Sequence, residues 1–183
     1  MKHRFLKTLL TSLGIFATTS TIAITHSNQV DAVYYRGAKV TTPKSIRGTW
    51  YYYSLNKLNK MKITSHTVSL PKLNANSPHG TFTLYKQSKK IYHKASGNLK
   101  YMEKANKYAY KHRWMNTWTY NYQGFKWLGI DPYWLDAGDN DYGGGLRATT
   151  INVNGRSIKQ LILQNPNSIK HFYKSPAVAK TMK

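Results

Sequence analysis

The sequence predicts a mainly β chain: a small antiparallel barrel or sandwich, with room for one short helix, behind an N-terminal leader. Three observations point there. Short segments that alternate apolar and polar residues recur at the ~8–12-residue spacing of all-β domains. Aromatics are dense, with 15 Tyr, 5 Trp and 5 Phe among 183 residues, and such rings suit pleated, half-buried surfaces. Asn154-Gly155 sits between two of these segments, and Asn-Gly suits a two-residue hairpin turn because both central residues need positive φ.

The leader comes first. Lys2, Arg4 and Lys7 form a positive region, an apolar run from Leu9 to Ile24 follows, and Val30-Asp31-Ala32 places small residues at −3 and −1 of a cleavage site. Residues 1–32 are therefore expected to be a signal peptide, and the remainder an exported protein. The alternative is a retained membrane anchor. The run is about the minimum length for a ~30 Å bilayer, and Thr11, Ser12, Gly14 and the Thr18–Thr21 stretch make it a poor span. Residues 33–44 are expected as a lead-in segment, and residues 45–183 as one β-rich extracellular domain.

Within that domain the strands are expected at Thr49–Tyr53, Met61–Thr64, His66–Leu70, Phe82–Tyr85 and Ile91–His93, with a loop over Asn74–Gly80. A turn at Ser96-Gly97-Asn98 leads into Leu99–Met102. Tyr108–Tyr122 fits period two through its aromatics, while Met102–Lys111 also suits a short helix. Ala148–Val153 and Ser157–Leu163 form the hairpin around Asn154-Gly155, and Ile169–Lys174 is the final strand.

Pro43 to Tyr51, with its Gly48-Thr49-Trp50-Tyr51 opening, and the second run Met61 to Thr67 resemble a family of small exported basic proteins of lactic acid bacteria. Tyr133-Trp134-Leu135 and Phe172-Tyr173-Lys174 extend the likeness. It implies an extracellular compartment and a β-rich fold rather than an activity. Gly48-x-Trp50 on a first strand is also similar to lipocalin-like barrels, in which the Trp plugs one end and an Arg of the last strand packs on it. Here the last strand offers Lys170 and Lys174 instead.

Charge dominates the chemistry. The chain has 28 basic and 6 acidic residues; three basic residues and Asp31 lie in the leader, leaving 25 against 5, a net +20. Repulsion at that level weakens a compact state and calls for a polyanion outside the molecule. Lys outnumbers Arg, and Lys is a hydrated point charge suited to diffuse attraction rather than geometry-specific readout. An anionic cell-wall polymer or an anionic lipid surface is the expected partner, and no specific nucleic acid. Cysteine is absent, which excludes disulfides, thiolate catalysis, Cys-ligated metals and a lipoprotein anchor.

Catalytic motifs are missing. No Gly-x-Ser-x-Gly, Ser-x-x-Lys, His-Glu-x-x-His or phosphate loop occurs. His66 and His171, in phase with apolar strand neighbours, are expected as packed groups. Asp131, Asp136, Asp139 and Asp141 cluster before Gly143-Gly144-Gly145. Asp136, Asp139 and Asp141 are weak metal candidates, because their spacing misses the EF-hand pattern and no bidentate Glu follows. An acidic turn paired with lysines fits better. No cofactor and no enzyme is expected.

The better candidates are rings and cations. Trp114, Trp118, Trp127 and Trp134 interleave with tyrosines, and Lys107, Lys111, Arg113 and Lys126 lie among them. Rings stack on sugar faces or bases, and cations neutralise phosphates. Trp50, Trp118 and Trp134 are expected in the core; Trp114 and Trp127 are the candidate stacking rings. The expected function is electrostatic association with the anionic envelope. The alternatives are a lipocalin-like carrier of an apolar ligand, a wall-glycan hydrolase using the Asp131–Asp141 loop, and an antimicrobial protein, which would need an amphipathic basic helix that the sequence does not display.

Overall fold

Ten strands form one sheet in the computed structural model, which describes residues 36–54, 56–72, 78–87, 97–131, 144–165 and 168–182. They are β1 (Arg36–Lys39), β2 (Gly48–Ser54), β3 (Lys57–Ile63), β4 (Thr67–Leu70), β5 (Gly80–Gln87), β6 (Trp114–Tyr122), β7 (Phe125–Asp131), β8 (Gly144–Val153), β9 (Arg156–Asn165) and β10 (Ser168–Tyr173). The helices are α1 (Leu99–Lys111) and α2 (Pro176–Thr181). Nine strands, in the order β5-β4-β3-β2-β10-β9-β8-β7-β6, close into a barrel through a β5–β6 pairing, and β1 is an additional strand on β5. The expected barrel is therefore present.

One pairing departs from the antiparallel expectation. β5 and β6 run parallel over Thr83–Trp114, Leu84–Met115 and Tyr85–Asn116. A parallel pair needs a long crossover rather than a tight turn, and α1 lies within this crossover. β1 also differs from expectation. Arg36–Lys39, in the segment read as a lead-in, pairs antiparallel with β5 at Arg36–Gln87 and Lys39–Tyr85. Gly37 permits that contact, since a Cβ there would lie 2.6 Å from the Lys86 carbonyl oxygen.

The Asn154-Gly155 hairpin forms as expected, with φ of 51° and 77° and β8 and β9 in continuous register from Gly145–Gln164 to Val153–Arg156. Gln123-Gly124, also both at positive φ, turns β6 into β7 the same way.

Alternation fills the barrel. Trp50, Met61, Ile63, Val68, Phe82, Leu84, Met115, Leu128, Ile130, Leu146, Leu161 and Phe172 form one buried cluster, with Tyr52 packed against it. Trp50 is fully enclosed and its indole N–H donates to the Ile46 carbonyl at 2.7 Å, at the end of a single 3-10 turn, Lys44–Ile46. Above it, the Lys174 ammonium lies 3.6 Å from the ring centroid and donates to the Arg47 carbonyl at 2.8 Å. Cation and ring thus close this end of the barrel. Enclosing ~200 Å² of ring at ~25 cal/mol per Å² contributes about 5 kcal/mol. Trp50→Ala is expected to cost about 3–5 kcal/mol, the range for buried Trp truncation, in urea unfolding; a loss below 1 kcal/mol would show that Trp50 is not the plug.

Candidate polyanion-binding surface

α1 forms because its residues are good helix formers, with Ala, Leu, Met, Glu and Lys and no β-branched residue. The Asn98 side chain caps it by accepting from the Tyr101 N–H at 3.0 Å. Its last turn closes with His112 N–H to the Tyr108 carbonyl and Arg113 N–H to the Tyr110 carbonyl, Arg113 taking φ of 56°, a left-handed helix stop. This helix is longer than the Met102–Lys111 alternative, and it removes Tyr108 and Tyr110 from any strand.

Lys100, Lys104, Lys107 and Lys111 recur at intervals of four, three and four, which places them in one stripe. All four are exposed, while Ala105 and Ala109 are buried against the barrel. The helix is therefore amphipathic and basic, contrary to expectation, with its apolar face packed inward. Among the described residues the only carboxylates are Glu103 and Asp131. Glu103 is exposed on α1; Asp131 is buried at the end of β7, so it is not part of an exposed acidic turn. Asp136, Asp139, Asp141 and Trp134 lie outside the described residues, as do the leader and the expected Ile91–His93 strand. Among the described residues no group of three His, Asp or Glu side chains is placed to hold a metal, and no helix is long and apolar enough to cross a membrane.

The expected site residues divide. Lys107 and Lys111 belong to the stripe. Lys126 is exposed near the β6–β7 turn. Arg113 is committed locally: it donates to the His79 carbonyl at 3.0 Å and lies over the Phe82 and Tyr110 rings at 5.5 and 5.3 Å. The two candidate stacking rings are buried, not presented. Trp114 is enclosed by Tyr85, Tyr108 and His112, with the Arg36 guanidinium 4.6 Å from its centroid. Trp127 lies beside Tyr120 and below Arg147. The reason is what covers each ring, not strand parity. Met115 and Thr117 point into the barrel, so Trp114 faces outward but beneath α1.

That outward face also exposes a ring expected in the core. Trp118 is 42 % exposed and lies flat on Gly129, its direct partner across β6–β7, where any Cβ would overlap the indole. Tyr122 and Phe125, paired on the same face at the turn end of this ladder, are also exposed. Arg147 stacks over Phe125 at 3.8 Å and Trp127 at 5.0 Å, and its buried Nε has no hydrogen-bond partner. Tyr120 and Trp127 are nearly parallel, 15° apart, with centroids at 6.4 Å. Burial, then the neighbouring Tyr122, pushes the Tyr120 phenol above its ordinary value. The outer face of β6, β7 and β8 is thus an aromatic platform carrying one arginine.

Where β5 and β6 part, just beyond Tyr85–Asn116, a cleft of about 360 Å³ opens, lined by Lys86, Asn116, Thr117, Trp118 and Thr119. The sequence signal for it was weak, since nothing in one strand's pattern marks where its neighbour departs.

The remaining histidines split too. His66 is half-buried with Nδ1 2.9 Å from the Val40 carbonyl, whereas His171 is exposed, because it alternates with inward-facing Phe172.

Comparison with protein families, with curated proteins and with solved structures finds no match to this chain.

At the Trp50 end, burial and then the Lys159 charge lower the Lys174 pKa from 10.5. A lysine whose folded pKa is depressed penalises folding while protonated, so stability rises with pH between that lowered value and the unfolded one. Lys159→Gln is expected to raise the Lys174 pKa, followed by NMR titration of its side chain, and to flatten the alkaline rise in stability. An unchanged titration would place the two ammonium groups too far apart to interact.

Proposed function

We propose that this protein is an exported, non-enzymatic cationic barrel that adheres to the anionic envelope of its own Gram-positive cell, through a teichoic-acid-like wall polymer. The observation that carries the proposal is the α1 stripe: four exposed lysines in line, on a chain of net charge +22. Such a row tracks a phosphate backbone and gains free energy by releasing its counterions. Lysine serves better than arginine in this role, since each contact is a hydrated point charge that needs no fixed geometry. Retention then requires no covalent sorting signal.

Four phosphate contacts imply a log–log salt slope of roughly −3, by the single-strand value per contact. Affinity for purified walls bearing teichoic acid is therefore expected to fall by about fiftyfold between 50 and 200 mM salt. Replacing Lys100, Lys104, Lys107 and Lys111 together with Gln should remove most of that dependence. Equal retention at low and high salt would refute the proposal, as would equal binding to walls stripped of the polymer.

A carrier of an apolar ligand is the second reading, favoured by Lys174 over Trp50, the place where lipocalin-like barrels put an arginine. It requires saturable uptake of a hydrophobic dye that salt does not alter. Dye uptake that vanishes with salt would count against it.

A further inference from the structure

The aromatic platform and the β5–β6 cleft meet at Trp118, and this junction carries chemistry that the lysine stripe lacks. We propose that the cleft binds one sugar-phosphate unit of an anionic glycopolymer, with the sugar face on Trp118 and the phosphate on Lys86. The inference rests on the envelope-binding reading and adds a ligand class to it.

Three observations meet here. Trp118 presents one indole face outward because Gly129 lets the other lie flat on the sheet. A flat apolar ring with a polar edge suits a pyranose, which has apolar C–H faces and a rim of hydroxyls. Lys86 supplies a cation, and the exposed Thr119 and half-buried Asn116 line the same cleft with polar side chains, while Thr117 turns inward and donates to the Met115 carbonyl. The volume, about 360 Å³, lies at the small end of ligand pockets, fitting one monosaccharide unit rather than an oligomer.

Charge complementarity selects the occupant. Among the described residues Lys86 is the one charged side chain lining the cleft, and the carboxylate nearest in register, Asp131 opposite Asn116, is buried, so an anionic unit meets a cation first. Beyond Trp118 the platform continues along the outer face through Tyr122, Phe125 and the half-buried Arg147. Trp118 to Tyr122 spans roughly 14 Å of strand, enough for a polymer to continue past the bound unit. A sugar-free polyphosphate would satisfy Lys86 and leave Trp118 idle; a neutral glycan would do the reverse.

Calorimetric titration of the protein with four probes tests this: glucosylated poly(glycerol phosphate), the same polymer without sugar, inorganic polyphosphate, and free glucose 1-phosphate. Trp118→Ala is expected to weaken binding of the glucosylated polymer about tenfold, the scale of one stacking contact, and to leave both sugar-free polymers unchanged. Trp118→Phe should keep most of the affinity. Lys86→Gln should weaken the glucosylated polymer and reduce its salt slope by about one. Thermal melts verify that each variant folds; if Trp118→Ala does not, Trp118→Phe and Lys86→Gln carry the test. Should Trp118→Ala change all probes equally or none, the cleft assignment fails while the polyelectrolyte reading stands. Tighter binding of glucose 1-phosphate than of any polymer would make the ligand a soluble metabolite and overturn the assignment to a polymer. Failure of wild-type protein to bind any polymer would sink the envelope reading itself.

Discussion

Three parallel residue pairs between β5 and β6 close the barrel, and much of the remaining structure follows from them. Antiparallel neighbours can be joined by two residues, as at Gln123-Gly124 and Asn154-Gly155, but parallel neighbours cannot. The chain must leave β5, cross and return in the same direction. α1 is part of that return, so its lysine stripe is displayed as a by-product of closure. The short length of the parallel register matters equally. After Tyr85, β5 remains with β1 while β6 continues with β7 alone, and the gap between them is the cleft beside Trp118. Closure, cationic helix and cleft are consequences of one pairing.

A barrel this positive must be held together by something other than charge pairing. With so few carboxylates available, the opposing term is burial: Trp50, Phe82 and Phe172 are fully enclosed, and large rings contribute several kcal/mol each. Among the described residues, cations also rest on rings. Lys174 lies on Trp50, Arg36 on Tyr85 and Trp114, Arg113 on Phe82 and Tyr110, and Arg147 on Phe125 and Trp127. Cation–π contacts contribute about 0.5–2 kcal/mol each without neutralising the charge. The molecule thereby stays folded and stays positive. The abundance of Tyr and Trp in the sequence serves both tasks.

Much of the barrel was legible from residue patterns. Thr49–Tyr53, Met61–Ile63, the Asn154-Gly155 hairpin and the last strand emerged because each alternates or turns in a way that local chemistry dictates. β7 did not emerge. Trp127 to Asp131 are buried on both faces, so no alternation marks them, and Gly129 looks like a break until Trp118 is seen to need the space. α1 was half-visible: its aromatics mimic period two, and the Asn98 cap decides for helix. The site residues were harder. Lysine positions on a helix are readable once the helix is known, hence Lys107 and Lys111. Which tryptophan is covered depends on what lies outside the barrel, and strand parity alone would have ranked Trp114 and Trp118 together. The cleft depends on where two strands separate, which is a property of the pair and not of either sequence.

Lysines in line on α1, a ring exposed on a glycine floor and a cation at the barrel seam are brought to the surface by the same crossover, and they suit a ligand that is both sugar and phosphate. Backbone amide NMR of the protein, with and without glucosylated poly(glycerol phosphate), locates that ligand directly. Shift changes should concentrate on α1 (residues 99–111), Lys86 and Thr117–Thr119, leaving the Asn154-Gly155 hairpin undisturbed. Perturbation confined to that hairpin, or spread evenly over every exposed lysine, would contradict it.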